Sequence, residues 1–203
     1  MNPILLDVHT PITTQRLQLR HPKPGDGKAI NEAVLESFDE LHEWMPWAEK
    51  RPSIDDSEEY ARRAYASWIL REDLILLILD KNTNELVGST GLHKIKWEIP
   101  SFEIGYWARK SFTGQGFITE AVNALTLFTF KTLNAKRVEI RCDEENDRSS
   151  KIPKNLGFNL EGILRNEDRK SGNPQNLRNT LVFSRLDSTG LADLGVSWGT
   201  LRS

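Results

Sequence analysis

Cysteine and histidine are scarce in this chain of 203 residues, which has one cysteine and four scattered histidines. A single cysteine, Cys142, excludes an intrachain disulfide and suits a reducing compartment. The histidines follow no metal-ligand spacing, so we expect no metal site. The longest apolar run, Leu74 to Leu79, is too short to span a bilayer, and because no basic segment leads into an apolar one at the N-terminus, we expect no signal peptide. We therefore expect a soluble, cytoplasmic protein with no membrane partner.

An excess of charge of either sign is also missing, because 27 basic and 29 acidic residues leave a formal net charge of -2. This balance provides no global basic field, so we expect no nucleic-acid partner. The composition is that of an ordinary globular protein, and the length suits one domain. We assign residues 1–187 to that domain and residues 188–203 to a C-terminal tail of uncertain order. A monomer and a homodimer both remain open.

The pattern of apolar residues predicts a mixed α/β fold. Strand patterns occupy residues 16–20, 74–79, 86–92, 102–107, 137–142, 160–164 and 180–186. Helices are predicted after Asp26 as a cap, from Ser57 to about Arg71, after a glycine-bearing loop at residues 113–116, and just before Gly157. Residues 41–52 predict an irregular or short helical connection. This order of elements favours a mixed sheet with helices on both faces.

The most informative segment is the loop Thr113-Gly114-Gln115-Gly116, which lies between a strand and the strongest predicted helix. Glycines allow positive φ and close approach of a ligand, and the N–H groups of a helix N-terminus bind phosphate oxygens. The plain alternative is a loop that needs glycine only to turn. Thr119 stands where a dinucleotide fingerprint needs its third glycine, and the triphosphate-loop motif is absent. A short pyrophosphate cradle remains, and coenzyme A carries a pyrophosphate.

Four stretches of the chain also carry a resemblance to a known family. They are Thr14 to Arg20, Glu43 to Ala48, Glu103 to Trp107 with Gly114 to Ala121, and Asn146 to Ser149 with Leu156 to Gly162. In this order they resemble the GCN5-related N-acetyltransferase (GNAT) superfamily, in particular its ribosomal-protein alanine and serine N-acetyltransferases. The resemblance implies a mostly antiparallel central sheet with helices on both faces. It also implies a splayed parallel strand pair, at residues 102–107 and 138–142.

The resemblance implies an enzyme that takes acetyl-CoA as cosubstrate, needs no metal, and transfers the acetyl group to a primary amine by direct attack on the thioester. A protein N-terminal amine is one candidate acceptor. A second hypothesis is a small-molecule acetyltransferase that acts on a polyamine, an antibiotic or an amino acid. A third, from a different class, is a catalytically weak CoA-binding sensor module.

The same resemblance assigns residues to the cosubstrate. Backbone N–H groups of Trp107, Ala108 and Arg109 would bind the pantetheine and the thioester oxygen, where one good donor contributes about 10²- to 10³-fold in rate. The pyrophosphate would lie on the loop and the helix start, at Thr113, Gly114, Gln115, Gly116, Phe117, Ile118 and Thr119. Asn146 would fix a turn or contact CoA.

One departure concerns charge at the pyrophosphate. Many relatives place Arg or Gln at the loop start or just before the first glycine, where this chain has Ser111 and Thr113. Arg109 and Lys110 are the alternative sources of positive charge.

Three residues are candidates for catalysis. The position where many relatives carry a tyrosine acid is Pro153, so Ser149 becomes the candidate that protonates or orients the thiol; capping of a helix by Ser149 or Ser150 is the alternative. Glu103 and Asp168 are candidate bases, and each is alternatively a solvated acid or a salt-bridge partner.

Three further residues have simpler interpretations. Trp44 and Trp47 either pack in the core, which the sequence favours, or form one wall of the acceptor site. Glu120 most simply complements the helix dipole.

Overall fold

A computed structural model of the chain describes residues 2–171 and 173–199. Within these residues the strands are β1 (Ile12–Thr13), β2 (Leu17–Arg20), β3 (Leu74–Asp80), β4 (Leu86–Lys96), β5 (Ser101–Ala108), β6 (Arg137–Asp143), β7 (Asn159–Lys170), β8 (Asn173–Arg185) and β9 (Ser197–Trp198). The α-helices are α1 (Gly27–Glu36), α2 (Phe38–Trp44), α3 (Ile54–Leu70), α4 (Phe117–Thr132) and α5 (Asp147–Asn155). None of these helices is both long and apolar enough to cross a bilayer.

The strands form one sheet in the order β7-β8-β6-β5-β4-β3-β2-β1-β9. Neighbouring strands are antiparallel except β5 and β6, which are parallel. Helices α1, α2 and α3 contribute a buried cluster on one face, and α4 contributes the larger cluster on the other. The expected mixed, mostly antiparallel sheet with helices on both faces is confirmed.

Strand β3 shows why an unbroken apolar run belongs at the centre of this sheet. Leu74, Leu76 and Ile78 pack in the cluster with α4, whereas Leu77 and Leu79 pack in the cluster with α1. A strand covered on both faces has no solvent side, so it gains from apolar residues at every position. The prediction for residues 74–79 is confirmed for this reason.

Strands β5 and β6 stay together only at their beginnings. Their parallel pairing joins Ser101–Glu103 to Arg137–Glu139. Beyond that point β5 continues against β4 as far as Ala108, and β6 continues against β8 as far as Asp143. The sheet therefore opens between the carboxyl halves of β5 and β6, as the resemblance implies.

The N-terminal helices correct one local expectation and refine another. Helix α3 begins at Ile54 and not at Ser57, because Ser53 and Asp56 form a reciprocal capping box while the Ser57 hydroxyl bonds back to the Ser53 carbonyl. Asp26 is the N-cap residue of α1, as expected, but its side chain does not cap the helix, since its carboxylate binds the Arg20 guanidinium at 2.7 Å. The short helix α2 extends into residues 41–52, so the expected irregular or short helical connection is confirmed.

The segment after residue 187 contacts the body of the protein in its described part. Ser197 and Trp198 form β9, which pairs with β1, and the Trp198 ring meets Phe128 of α4 edge to face at 5.5 Å. The Asn123 amide donates to the Ala192 carbonyl at 2.7 Å. Residues 200–203, which belong to the expected tail, lie outside the described residues.

Glu120 joins the start of α4 to the turn between β1 and β2. Its buried carboxylate accepts from the Thr14 hydroxyl at 2.5 Å and from Arg16 Nε at 2.6 Å. The Arg16 guanidinium also donates to the Gln115 carbonyl and lies over the Phe117 ring. The interpretation of Glu120 as a dipole partner was therefore incomplete, because the partners come from residues more than 100 positions away in sequence.

Replacing Glu120 by Ala is expected to lower the free energy of unfolding by about 2–3 kcal/mol, because Thr14 and Arg16 lose the buried acceptor that they share. Urea denaturation measures the change. Glu59→Ala is the matched control, since it removes an exposed helical ion pair with Arg63 and should cost less than about 0.5 kcal/mol. Equal effects of the two substitutions would contradict the anchoring role of Glu120.

Candidate active site

A cavity of about 700 Å³ lies on the α1–α3 side of the sheet and reaches the opening between β5 and β6. Its walls combine side chains from both sides of that opening, among them Glu103, Tyr106, Asn146 and Ser149. A cavity at a break in a sheet meets unpaired backbone groups as well as side chains. It is the natural candidate for the functional site.

The outer wall of the cavity is aromatic. Trp44 and Trp47 both line it, and the Trp47 ring lies 6.2 Å from the Trp107 ring, centroid to centroid. Trp47 is 53% exposed, so the favoured core interpretation is wrong for this residue. The structure places both tryptophans where the alternative interpretation puts them, on a wall beside the β5–β6 opening.

The backbone of β5 presents alternate N–H groups to the opening. Arg109 N donates to the Val87 carbonyl at 2.7 Å, and the Thr90 hydroxyl donates to the Gly105 carbonyl at 2.8 Å. Since successive residues of a strand point their N–H groups in opposite directions, Gly105, Trp107 and Arg109 face β4. The N–H groups of Tyr106 and Ala108 then face the opening.

This alternation corrects part of the expected binding set. The N–H groups of Trp107 and Arg109 are used within the sheet, so they are not free for the pantetheine or the thioester oxygen. The N–H group of Ala108 faces the opening, so Ala108 remains a candidate donor. Tyr106 was missed, although the alternation of Phe102, Ile104 and Tyr106 was visible in the sequence.

Both glycines of the loop before α4 have left-handed backbones, with φ of 74° at Gly114 and 78° at Gly116. Gly116 is the N-cap residue of α4 and offers no side chain as a cap, so the N–H groups of the first helical turn keep no intrahelical partner. A Cβ on Gly114 would meet nothing within 4 Å. The loop is therefore an open concave surface of backbone donors.

Side chains of the loop hold its shape. The Thr113 hydroxyl donates to the Lys110 carbonyl at 2.8 Å, and the Gln115 amide donates to the Ser111 carbonyl at 3.0 Å. Phe117 is buried, whereas Ile118 and Thr119 in the same turn are half-buried. The structure thus brings the predicted residues 113–119 together as one surface in which backbone N–H groups are the available donors.

Arg109 and Lys110, the alternative sources of positive charge, are both paired with acidic side chains. Arg109 Nε donates to Glu36 at 2.6 Å, and the same carboxylate accepts from Ser111 N at 2.9 Å. Lys110 pairs with Glu40 of α2 at 2.8 Å. Acids of α1 and α2 therefore pair with both side chains, and the groups left at the loop are the N–H groups of the α4 terminus and the Arg16 guanidinium, which donates to the Gln115 carbonyl.

A cluster of three proton-bearing groups lies where the opening meets α5. The Ser149 hydroxyl donates to Tyr106 Oη at 3.2 Å, and Tyr106 Oη donates to the Ser149 carbonyl at 3.0 Å. The Ser149 hydroxyl also hydrogen-bonds the Cys142 thiol. Burial raises the pKa of Tyr106 and raises the pKa of Cys142 to about 11. All three groups therefore keep their protons at neutral pH.

Asn146 is the N-cap of α5, where its side-chain oxygen accepts from Ser149 N at 2.9 Å. The alternative in which Ser149 or Ser150 caps this helix is therefore wrong, because Ser149 lies inside the first turn and its hydroxyl points to Tyr106. Asn146 fixes the turn, as one of its two interpretations had it. It also lines the cavity.

The two candidate bases are not brought together. Glu103 lines the cavity and accepts from Lys94 Nζ at 3.0 Å. Asp168 lies on β7, is half exposed, and contacts Arg178 at 3.4 Å without lining the cavity. The part of the chain that the structure describes contains no group of His, Cys, Asp and Glu side chains able to hold a metal ion.

Comparisons with known proteins agree with this geometry. Residues 16–159 match the family model described as acetyltransferase (GNAT) domain. The relative YdaF of Bacillus subtilis (strain 168), provisionally named a ribosomal N-acetyltransferase, is 31% identical over 155 residues, which are 74% of this chain and 82% of YdaF.

Two solved structures share the fold. One is RimL, described as a ribosomal L7/L12 alpha-N-protein acetyltransferase in complex with coenzyme A, with a TM-score of 0.79 and 21% identity over 86% of this chain and 96% of RimL. The other is the microcin C7 self-immunity acetyltransferase MccE in complex with acetyl-CoA and AMP, with a TM-score of 0.77 and 22% identity over 85% of this chain and 93% of MccE.

Cys142 is the only cysteine, so its reactivity measures the environment of the cluster that it forms with Tyr106 and Ser149. Burial raises the pKa of its thiol from 9.0 to about 11, so the thiol form persists until the pH approaches that value. Because the thiolate is the reactive form, iodoacetamide should label the folded chain at neutral pH about 100-fold more slowly than the urea-unfolded chain. The rate should rise steeply with increasing pH. Equal labelling of both states would show that the thiol is neither buried nor shifted.

Proposed function

Since the chain belongs to the acetyltransferase (GNAT) family and is an acetyl-CoA-dependent N-acetyltransferase, we propose that its acceptor is the N-terminal amine of a protein. One observation carries the placement of the reaction. The cavity lies against the β5–β6 opening, and β5, one edge of that opening, ends at Ala108 a few residues before the glycine loop at the start of α4. A thioester in the opening would face the cavity while its diphosphate lies on the loop.

The residues of the opening suit acetyl-CoA. The free N–H groups of Tyr106 and Ala108 would hold the pantetheine and the thioester oxygen, and they would stabilise negative charge that develops on that oxygen. Residues 113–119 would hold the pyrophosphate through backbone donors, with Gly114 and Gly116 leaving it room. When bound, acetyl-CoA supplies the activated acetyl group. The chain supplies orientation, donors and proton transfer.

Ser149 is the proposed proton donor to the departing sulfur. Its hydroxyl lies at the opening and already bonds the hydroxyl of Tyr106. Tyr106 keeps its proton because burial raises its pKa, so it can replace a proton that Ser149 releases. Pro153 stands where many relatives carry a tyrosine acid and has no proton to give. The hydroxyl groups of Ser149 and Tyr106 would supply the proton instead.

The support for a protein acceptor comes from the relatives and not from the net charge of the cavity. Four acids, Asp56, Asp73, Glu103 and Asp143, line the cavity together with four bases, Lys50, Lys94, Arg141 and Arg178. YdaF and RimL are both named for ribosomal substrates, YdaF provisionally. A ribosomal-protein N-terminus is therefore the proposed substrate class, and it carries with it a cytoplasmic location.

A small-molecule amine is the second candidate. It is favoured by the likeness to MccE, which was solved with AMP beside acetyl-CoA, and by the aromatic wall of the cavity. A module without catalysis is not retained, because the family assignment is to acetyltransferases.

Gly114→Glu is expected to abolish acetyl-CoA binding, because the new carboxylate would enter the diphosphate surface. In a thermal-shift titration, wild-type protein should gain about 2–3 kcal/mol at a hundredfold excess of acetyl-CoA over Kd, and the variant none. Gly190→Glu is the matched control, with φ of 78° and equally open space around the added Cβ. Undiminished affinity in Gly114→Glu would refute the loop assignment.

The acceptor is tested by thiol release from acetyl-CoA with three probes at equal concentration: a peptide with a free N-terminal serine, the same peptide with its N-terminus blocked, and spermidine. We expect turnover with the free peptide alone. Turnover with spermidine and not with the peptide would overturn the protein acceptor in favour of the small-molecule alternative.

A further inference from the structure

A histidine–carboxylate pair lies on the floor of the cavity. His93 on β4 and Asp73 just before β3 both line it, and His93 Nδ1 lies 2.6 Å from Asp73 Oδ1. About one-third of each side chain is exposed, 33% for His93 and 32% for Asp73. From the sequence alone His93 is one of four scattered histidines, because its partner is 20 positions away and lies just before a different strand.

Two glycines make room for the imidazole ring. Gly91 and Gly105 face each other across β4 and β5, and a Cβ on either would lie 3.1 Å from His93 Nε2. The ring therefore lies over the glycine pair with Nε2 against β5. Tyr106, whose N–H group faces the opening, is the next residue along that strand. This puts Nε2 next to the proposed position of the thioester.

The backbone of β4 is irregular at this point. Lys94 has a left-handed φ of 47°, and the β4–β5 ladder shifts register between His93 and Lys96. Irregularities of this kind redirect a side chain at a functional site. The local conformation of β4 thus contributes to the position of the imidazole.

The contact with Asp73 determines which nitrogen can take a proton. A carboxylate accepts hydrogen bonds, so Nδ1 of the ring carries the hydrogen and Nε2 keeps its lone pair. Because His93 lines the cavity, this lone pair is the one available to take a proton from a bound acceptor. Glu103 is a weaker candidate because Lys94 binds its carboxylate, and Asp168 lies outside the cavity.

We propose that His93 is the general base of acetyl transfer and that Asp73 is the residue that positions it. Nε2 takes a proton from the acceptor ammonium group, and the freed amine forms a C–N bond with the thioester carbonyl carbon. The C–S bond breaks, the second amine proton is passed to the leaving sulfur, and His93 returns its proton to water. The proposal rests on the proposed function for the position of the thioester and for the identity of the amine.

Other ionisable groups also line this cavity. They include Asp56 and Tyr60 on α3, Lys94 on β4, Glu103 on β5 and Arg141 on β6. Asp73 is hydrogen-bonded to the ring, so its removal should have the largest effect on the tautomer and position of the imidazole.

The first test measures turnover with the N-terminal seryl peptide, or with spermidine if the peptide is not acetylated. His93→Gln should reduce kcat by about 10²- to 10³-fold. Its KM for acetyl-CoA should stay within about twofold, because the ring does not touch the proposed nucleotide surface. His9→Gln, away from the cavity, is the control and should leave both constants unchanged. A kcat within about threefold of wild type in His93→Gln would overturn the proposal.

The second test separates positioning from structure through the split between kcat and KM. Asp73→Asn should lower kcat by about tenfold or more and leave the KM for acetyl-CoA within about twofold, since an amide no longer selects the tautomer with hydrogen on Nδ1. Gly105→Ala should lower kcat without loss of folding, because its Cβ displaces the ring. A kcat of wild-type size in Asp73→Asn would contradict the role of Asp73.

A third test needs no acceptor, so its outcome is independent of the proposed function. Nitrogen-15 NMR of the histidine side chains reports the tautomer of the neutral ring. We expect His93 to carry hydrogen on Nδ1 in wild-type protein. A neutral His93 with hydrogen on Nε2 would exclude it as the base whatever the acceptor is.

Discussion

The separation of β5 from β6 is the constraint on which the site depends. The two strands pair for three residues and then follow different neighbours, β4 and β8. Every N–H group on the open side of β5 consequently lacks a strand partner, and a buried donor without a partner is costly. A ligand that offers acceptors along this edge removes the cost. The open edge of β5 is therefore suited to binding a ligand, because its N–H groups have no strand partner.

Contacts far from the opening keep the loop beside it in place. Glu120 and Arg16 tie the first turn of α4 to the turn between β1 and β2, and the Arg16 guanidinium also donates to the Gln115 carbonyl. Glu36 of α1 holds the other end of the same loop through Arg109 and Ser111. The glycines give the loop its curvature, and these two acids hold it against the sheet. Binding surface and support thus come from distant parts of the chain.

The features that the sequence predicts are those encoded within short segments. The apolar run of β3, the glycines before α4 and the periodicity of α4 each lie within a few turns or a single strand. The cap at Ser53 could also have been predicted from the Ser-x-x-Asp spacing. Ser57, which is followed by two glutamates, resembled a helix start more closely. The alternation of residues along β5 also separates the N–H groups that face β4 from those that face the opening. The hydrogen bond from Arg109 N to the Val87 carbonyl is needed to tell which set is which.

The remaining features arise from pairs that are distant in sequence. Thr14 with Glu120, Tyr106 with Ser149, and His93 with Asp73 meet only after the sheet is assembled. No spacing rule connects such positions, so the buried role of Glu120 and the importance of His93 were missed. Ser149 became a candidate through the family resemblance, whereas its contact with Tyr106 was not predicted.

The central claim is that the Tyr106 and Ala108 amides are the free donors of the opening. Amide proton NMR with and without acetyl-CoA tests it directly. Tyr106 and Ala108 should shift and become protected from exchange when acetyl-CoA is added, whereas Trp107 and Arg109 should be protected in both states. Large changes at Trp107 and Arg109, with none at Tyr106 and Ala108, would contradict this account.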